Sequence, residues 1–132
     1  MPLKKGSGKT DDASRDMAWL LDMLRAARAV VSFVDGRTFE QYEQELLLRS
    51  AVERQVEIVG EAARGISSGF KTSHPHIAWR SIMAQRHRLA HEYGEIDDKL
   101  IWTVAAVHIP LLIAQIEPLI PRMPDEPETN GE

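Results

Sequence analysis

Residues 38–66 read TFEQYEQELLLRSAVERQVEIVGEAARGI, and this stretch decides the fold. Thr38 and Gln41 have the spacing of a capping box, in which a hydroxyl and an amide side chain satisfy two helix-terminal N–H groups reciprocally. Leu48, Val52, Val56, Val59, Ala63 and Ile66 then recur at helical spacing. The pattern predicts helix from Thr38 to about Ile66, broken near Gln44, with that stripe in a core. Gly60 falls inside it, and its missing side chain predicts close approach of another helix.

Upstream, Asp12 to Asp35 reads as a helix that Asp11, Asp12 or Ser14 caps, with Asp16 suited to the positive end of the helix dipole. Its polar positions, Asp16, Asp22, Arg25, Arg28 and Ser32, form a narrow stripe. A helix apolar around most of its circumference is buried on more than one side, and in a small domain one side can face a second subunit. Asp35-Gly36 stops it. Downstream, Gly65 to Ser73 reads as a turn region, and a further helix is predicted from about Pro75 to near His91, with a break at Gly94. Asp97 caps a last helix that Pro110 should kink. No strand pattern or internal repeat is visible. The expectation is an all-α bundle of four or five helices over residues 11–120. Residues 1–10 read as a flexible polar arm and residues 121–132, PRMPDEPETNGE, as a disordered acidic, Pro-rich tail.

The chain has 132 residues, 43% of them hydrophobic, which suffices for one packed domain. It has no Cys, so disulfides, thiolate metal sites and cysteine nucleophiles are excluded. Met1 to Thr10 carries no apolar segment of the kind a signal peptide needs. The longest apolar stretch, Val104 to Ile116, is too short to cross a bilayer. A cytoplasmic protein without membrane partners is therefore expected. Gly8-Lys9-Thr10 matches the end of a phosphate-binding loop, but Leu3 stands where that loop needs its first Gly, and no strand precedes it.

Charge is unevenly placed. Between Glu61 and Glu92 lie 30 residues without an acid, carrying Arg64, Lys71, Arg80, Arg86 and Arg88 and four of the five His. That stretch is +5 in a chain of net charge −4, so the remainder is −9. Such focusing suits an anionic ligand, unless these cations pair with acids of neighbouring helices.

The chemistry is densest at residues 85–94, QRHRLAHEYG. His87 and His91 share the spacing of two zinc ligands, but Arg88 replaces the Glu of a metalloprotease base and repels a cation. Glu92 or Glu95 would have to complete the set. No metal and no cofactor is expected. Phosphoryl chemistry fits better. RNA cleavage by its own 2′-hydroxyl needs a proton acceptor, a proton donor and a cation for the phosphorus centre. His titrates near neutrality, and Arg holds two phosphate oxygens at once. Arg86 and His91 have those properties. On an ideal helix they point about 140° apart, whereas Arg86 and Tyr93 share a face.

Arg86-x4-His91-x-Tyr93 resembles the R-x4-H-x-Y motif of HepT-like toxins in the HEPN superfamily. Ile58 to Ala63, His74 to Arg80, Tyr93 to Asp97 and Trp102 resemble the flanks of that motif, and the resemblance spans roughly residues 14–120. It implies a homodimeric HEPN-like bundle and a metal-independent endoribonuclease, with Arg86 and His91 as the catalytic pair and the two motifs lining one cleft. Arg80 and Arg88 are then RNA contacts. His87 stands where the family often has Asn or another polar residue, and is auxiliary: it orients the site or joins the proton transfers. Glu92, at a position often small, adds a negative charge. The resemblance also implies a minimal nucleotidyltransferase antitoxin that transfers AMP to Tyr93. A non-catalytic HEPN module binding the same partner is the alternative.

Overall fold

The computed structural model describes the backbone of residues 3–90 and 97–121 and the side chains of residues 12–84 and 97–121. The tail expected over residues 121–132 lies outside them except for Pro121. The helices are α1 (Leu3–Val34), α2 (Phe39–Gln44), α3 (Leu46–Gly65), α4 (Ser68–Ser73), α5 (Trp79–Ala90), α6 (Asp98–Thr103) and α7 (Ile109–Ile116). A π-helical turn, Val104–His108, joins α6 to α7, and a 3₁₀ turn, Glu117–Leu119, follows. Among the described residues there is no strand. Four rods (α1, α3, α5 and the α6–α7 course) make the bundle, and α2 and α4 are short connectors. The fold class is the all-α bundle expected.

The decisive stretch folds as its spacing predicts. Thr38 Oγ1 accepts from the Gln41 amide at 3.1 Å, and Gln41 Oε1 accepts from the Thr38 amide at 2.9 Å. The helix breaks at Glu45, and the whole stripe from Leu48 to Ile66 is buried. Packed on it are Leu20, Met23, Leu24 and Val30 of α1, each at most 1% exposed. Burying each such side chain contributes about 1.5–3 kcal/mol. α1 packs along α3 and also against α7, the two-sided burial its narrow polar stripe implied. Gly36, at φ +74°, reverses the chain after it.

Four expectations need correction. α1 starts at Leu3, so residues 3–10 are helical and Asp11, Asp12 and Ser14 are interior positions rather than caps. Gly6 and Gly8 weaken a helix by about 1 kcal/mol each but do not stop one, and no Pro intervenes. Asp16 is accordingly mid-helix; it is 6% exposed and accepts from the Ser67 amide at 2.8 Å and the Ser67 hydroxyl at 2.7 Å. The turn region contains α4, capped by Ser67, whose hydroxyl accepts from the Phe70 amide. Finally, α5 starts at Trp79 rather than Pro75. Pro75 disfavours helical backbone at His74, and Ile77 instead closes a turn onto the His74 carbonyl at 3.2 Å.

The kink foreseen at Pro110 takes the form of the π turn. Pro110 has no N–H for the Ala106 carbonyl and its ring crowds that oxygen. The ladder widens just before it, and the Ile109 amide donates to the Val104 carbonyl, five residues back. Val104–Ile116 is too short to cross a bilayer, but the helical course runs 22 residues, Asp98–Leu119, long and apolar enough by length and composition. Its Ile101, Val104, Ala105, Ile109, Leu112 and Ile116 are buried among the other rods, which makes it a core helix.

Candidate active site

The lead-in to α5 is fixed from three sides. Trp79, 7% exposed, donates its indole N–H to the His74 carbonyl at 3.0 Å and meets Phe70 edge-on at 6.3 Å. His74 stacks on Phe70 at 4.2 Å between ring centroids, with its Nδ1 2.9 Å from the Phe70 carbonyl oxygen. Gln115 of α7 donates to the His76 carbonyl at 3.3 Å. The aromatic contacts bind the turn to α4, and the Gln115 bond binds it to α7. Register along α5 follows from this start, because a helix propagates its first turn.

The return is fixed as well. Asp97 caps α6 by accepting from the Lys99 and Leu100 amides at 3.1 and 3.2 Å. Asp98 lies 3.9 Å from Arg49 of α3, and the Lys99 ammonium sits 5.0 Å from the centre of the Phe39 ring. Beside this anchor, Tyr42 is fully buried against Phe39 and Trp102, and its hydroxyl has no hydrogen-bond partner among the described residues. Burial, then the carboxylates of Glu53 and Asp98, raise its pKa well above the phenol's ordinary value, against the opposing charge of Arg49. Glu53 is raised by burial and by Asp98.

The positions of Arg86, His87 and Arg88 are on the backbone of α5, and their side chains lie outside the described residues. His91, Tyr93 and the break expected at Gly94 also lie outside them. Arg80 is described: it is exposed in the first turn of α5, beside Ser81. Lys71 and Arg64 were not singled out from the sequence as site residues. Their only signal there was membership of the acid-free stretch.

A cleft of about 320 Å³ runs between α3, α5 and the π turn with α7. Val56, Val59, Ile82 and Leu112 form its apolar walls, and Ser81, His108 and Gln115 its polar positions. Next to it, Val107 and Leu111, one turn apart, are 58% and 56% exposed.

This architecture, with Arg86 borne in the last turns of α5, defines an all-α bundle of the HEPN type. The chain belongs to the HepT-like family, whose model, described as "Ribonuclease HepT-like", matches residues 23–119. It is similar to a Methanocaldococcus jannaschii protein named "Putative RNase MJ1380", with 31% identity over 106 residues, 80% of this chain and 97% of that one. A Thermococcus cleftensis protein named "Probable ribonuclease HepT" is 33% identical over 101 residues, 76% of this chain and 92% of the relative. No solved structure is a significant match to the chain.

Proposed function

We propose that the protein is a metal-independent endoribonuclease, the toxin of a cytoplasmic toxin–antitoxin pair, acting as a homodimer. The observation that carries this reading is Arg86-x4-His91-x-Tyr93, opening on α5 of a HepT-like chain whose curated relatives bear ribonuclease names. In the proposed reaction His91 takes the proton of the RNA 2′-hydroxyl as its oxygen bonds to phosphorus. The bond from phosphorus to the 5′-oxygen breaks, and that oxygen leaves with a proton from an imidazolium, giving a 2′,3′-cyclic phosphate. Arg86 holds the non-bridging oxygens with charge-assisted hydrogen bonds. His87 supports the pair, and Arg88 and Arg80 hold flanking phosphates.

The exposed Val107–Leu111 step beside the apolar cleft supports a second copy as its cover, since contiguous exposed apolar surface favours association. A minimal nucleotidyltransferase is the proposed antitoxin, moving AMP from ATP to the Tyr93 hydroxyl and releasing pyrophosphate. Of the two tyrosines, Tyr42 is sealed in the core with a raised pKa, which makes it a poor acceptor. The added phosphate and its bulk would occupy the place of substrate.

The test is expression without the partner. Growth should arrest, and His91→Ala should abolish the arrest while the protein still folds. With the partner and ATP, intact mass should rise by AMP units in the wild type but not in Tyr93→Phe. Arrest that persists in His91→Ala overturns the catalytic assignment. An interaction-only module would give no arrest and no RNA cleavage, yet would still bind the nucleotidyltransferase.

A further inference from the structure

The charge asymmetry left one question to the structure: whether the cations of the acid-free stretch are spent on neighbouring acids. Elsewhere in the molecule such pairing is the rule. Arg15 meets Asp12, Arg28 meets Glu117, Arg37 meets Glu45, Arg49 meets Asp98 and Arg54 meets Glu57. Among the described residues, Arg64, Lys71 and Arg80 meet no carboxylate.

Lys71 is the informative member. It is half-buried on α4, and its ammonium donates to the thioether of Met83 on α5 at 3.6 Å, a weak acceptor for a full charge. Its pKa is lowered from the ordinary lysine value, by burial first and then by the charge of Arg64 at the end of α3; Asp16 opposes this. The Asp16 carboxylate is itself engaged by the amide and hydroxyl of Ser67. Lys71 thus keeps hydrogen-bonding capacity that the weak thioether leaves unfilled. Met83, its partner, lines an open depression of about 450 Å³ with Ile77, Ala78, Trp79, Arg80 and Ser81. Arg64 at the end of α3 is near enough to act on the Lys71 charge. Lys71, held against Met83, and Arg80, which lines the same depression, thus flank the N-terminal end of α5, whose first turn holds no acid. That end adds a positive partial charge of its own. From Arg80 to the position of Arg86 is six residues, about 9 Å of rise.

We infer that Arg64 and Lys71, with Arg80, form a phosphate-binding subsite that holds the backbone of single-stranded RNA away from the reacting position. It rests on the ribonuclease reading and adds to it a substrate-positioning surface outside the motif. Its contacts are to phosphate, so they set affinity and register without reading sequence.

The experiment measures binding of a short labelled single-stranded RNA carrying 2′-O-methyl groups, which the proposed chemistry does not cleave, across a salt series. In the double variant Arg64→Gln/Lys71→Gln the slope of log K against log salt should fall by about 1.4, two contacts' worth for a single strand, with on the order of tenfold weaker binding at 0.1 M salt. Arg54→Gln, which breaks an ion pair with Glu57 elsewhere, should leave both unchanged. Arg64→Lys/Lys71→Arg should restore the slope, which a role in folding alone would not require. On cleavable RNA the double variant should raise KM and leave kcat in place. Unaltered slope and affinity in the double variant, with a wild type that binds RNA, overturn the subsite and spare the ribonuclease reading. A wild type that neither binds nor cleaves RNA overturns both.

Discussion

Replacing Gly65 by Ala sets two effects of opposite sign against each other. Gly65 is the last residue of α3, and Ala is a better helix former there by up to about 1 kcal/mol. But a Cβ at this position would lie 2.2, 2.5 and 2.6 Å from Cε2, Nε1 and Cδ2 of Trp19 on α1. Ordinary carbon contact is about 3.5 Å, so the indole would have to retreat by roughly 1.3 Å. Three atoms of one rigid ring are in the way, and Trp19 packs against the core, so no single torsion relieves the overlap. Overpacking of this kind costs about 1–3 kcal/mol. The clash outweighs the propensity gain, and Gly65→Ala should be destabilised by about 1–2 kcal/mol, a fall in Tm on the order of 5 °C in a chain of this size. Gly69 in α4 is the control: a Cβ there meets nothing within 4 Å, so Gly69→Ala should gain about 0.4–1 kcal/mol through loss of unfolded-state freedom. Thermal unfolding followed by circular dichroism reads both. A Gly65→Ala protein as stable as Gly69→Ala would show that the indole is not held against α3, and the reasoning would fail.

Two further outcomes follow from carboxylates drawn away from solvent, Asp16 buried and Glu53 half-buried. Asp16→Ala removes the acceptor for both the Ser67 amide and hydroxyl, and hydrogen bonds to a charged group are worth about 1.5–3 kcal/mol. The unfolding free energy from urea titration should drop accordingly, by about 2–3 kcal/mol; a change below about 0.5 kcal/mol would mean that water replaces the carboxylate at no cost. Glu53→Gln should raise stability at pH 7. Burial and Asp98 lift the folded-state pKa of Glu53, so its ionised form is disfavoured by folding. That penalty acts above the raised pKa and vanishes below the unfolded-state value of about 4.3. The gain over wild type should therefore shrink as pH falls through that window, and equal midpoints at pH 7 would refute it.

The residues that the sequence misassigned are those whose partner is remote in the chain. Thr38, Gln41, Asp97 and the Leu48–Ile66 stripe were legible because a cap bonds three residues away and a core stripe repeats within one helix. Asp16 was read as a dipole residue because its true partner, Ser67, is 51 residues away. Gly60, where close approach was expected, is buried, but the close approach at Gly65, against a tryptophan 46 positions upstream, had no signal in the spacing. Short α4 carries no amphipathic period over its six residues, so nothing local announced it. These tertiary links matter for the chemistry. Asp16 holds the cap of α4, α4 carries Lys71 and the Phe70 that His74 stacks upon, and His74 receives the indole that starts α5. The motif was legible through its resemblance to a family pattern, whereas the frame that fixes the start of α5 is built from contacts that spacing does not encode. A change at Asp16 or Trp79 should accordingly reach the proposed RNA surface through α4 and α5, without touching any residue of Arg86-x4-His91-x-Tyr93.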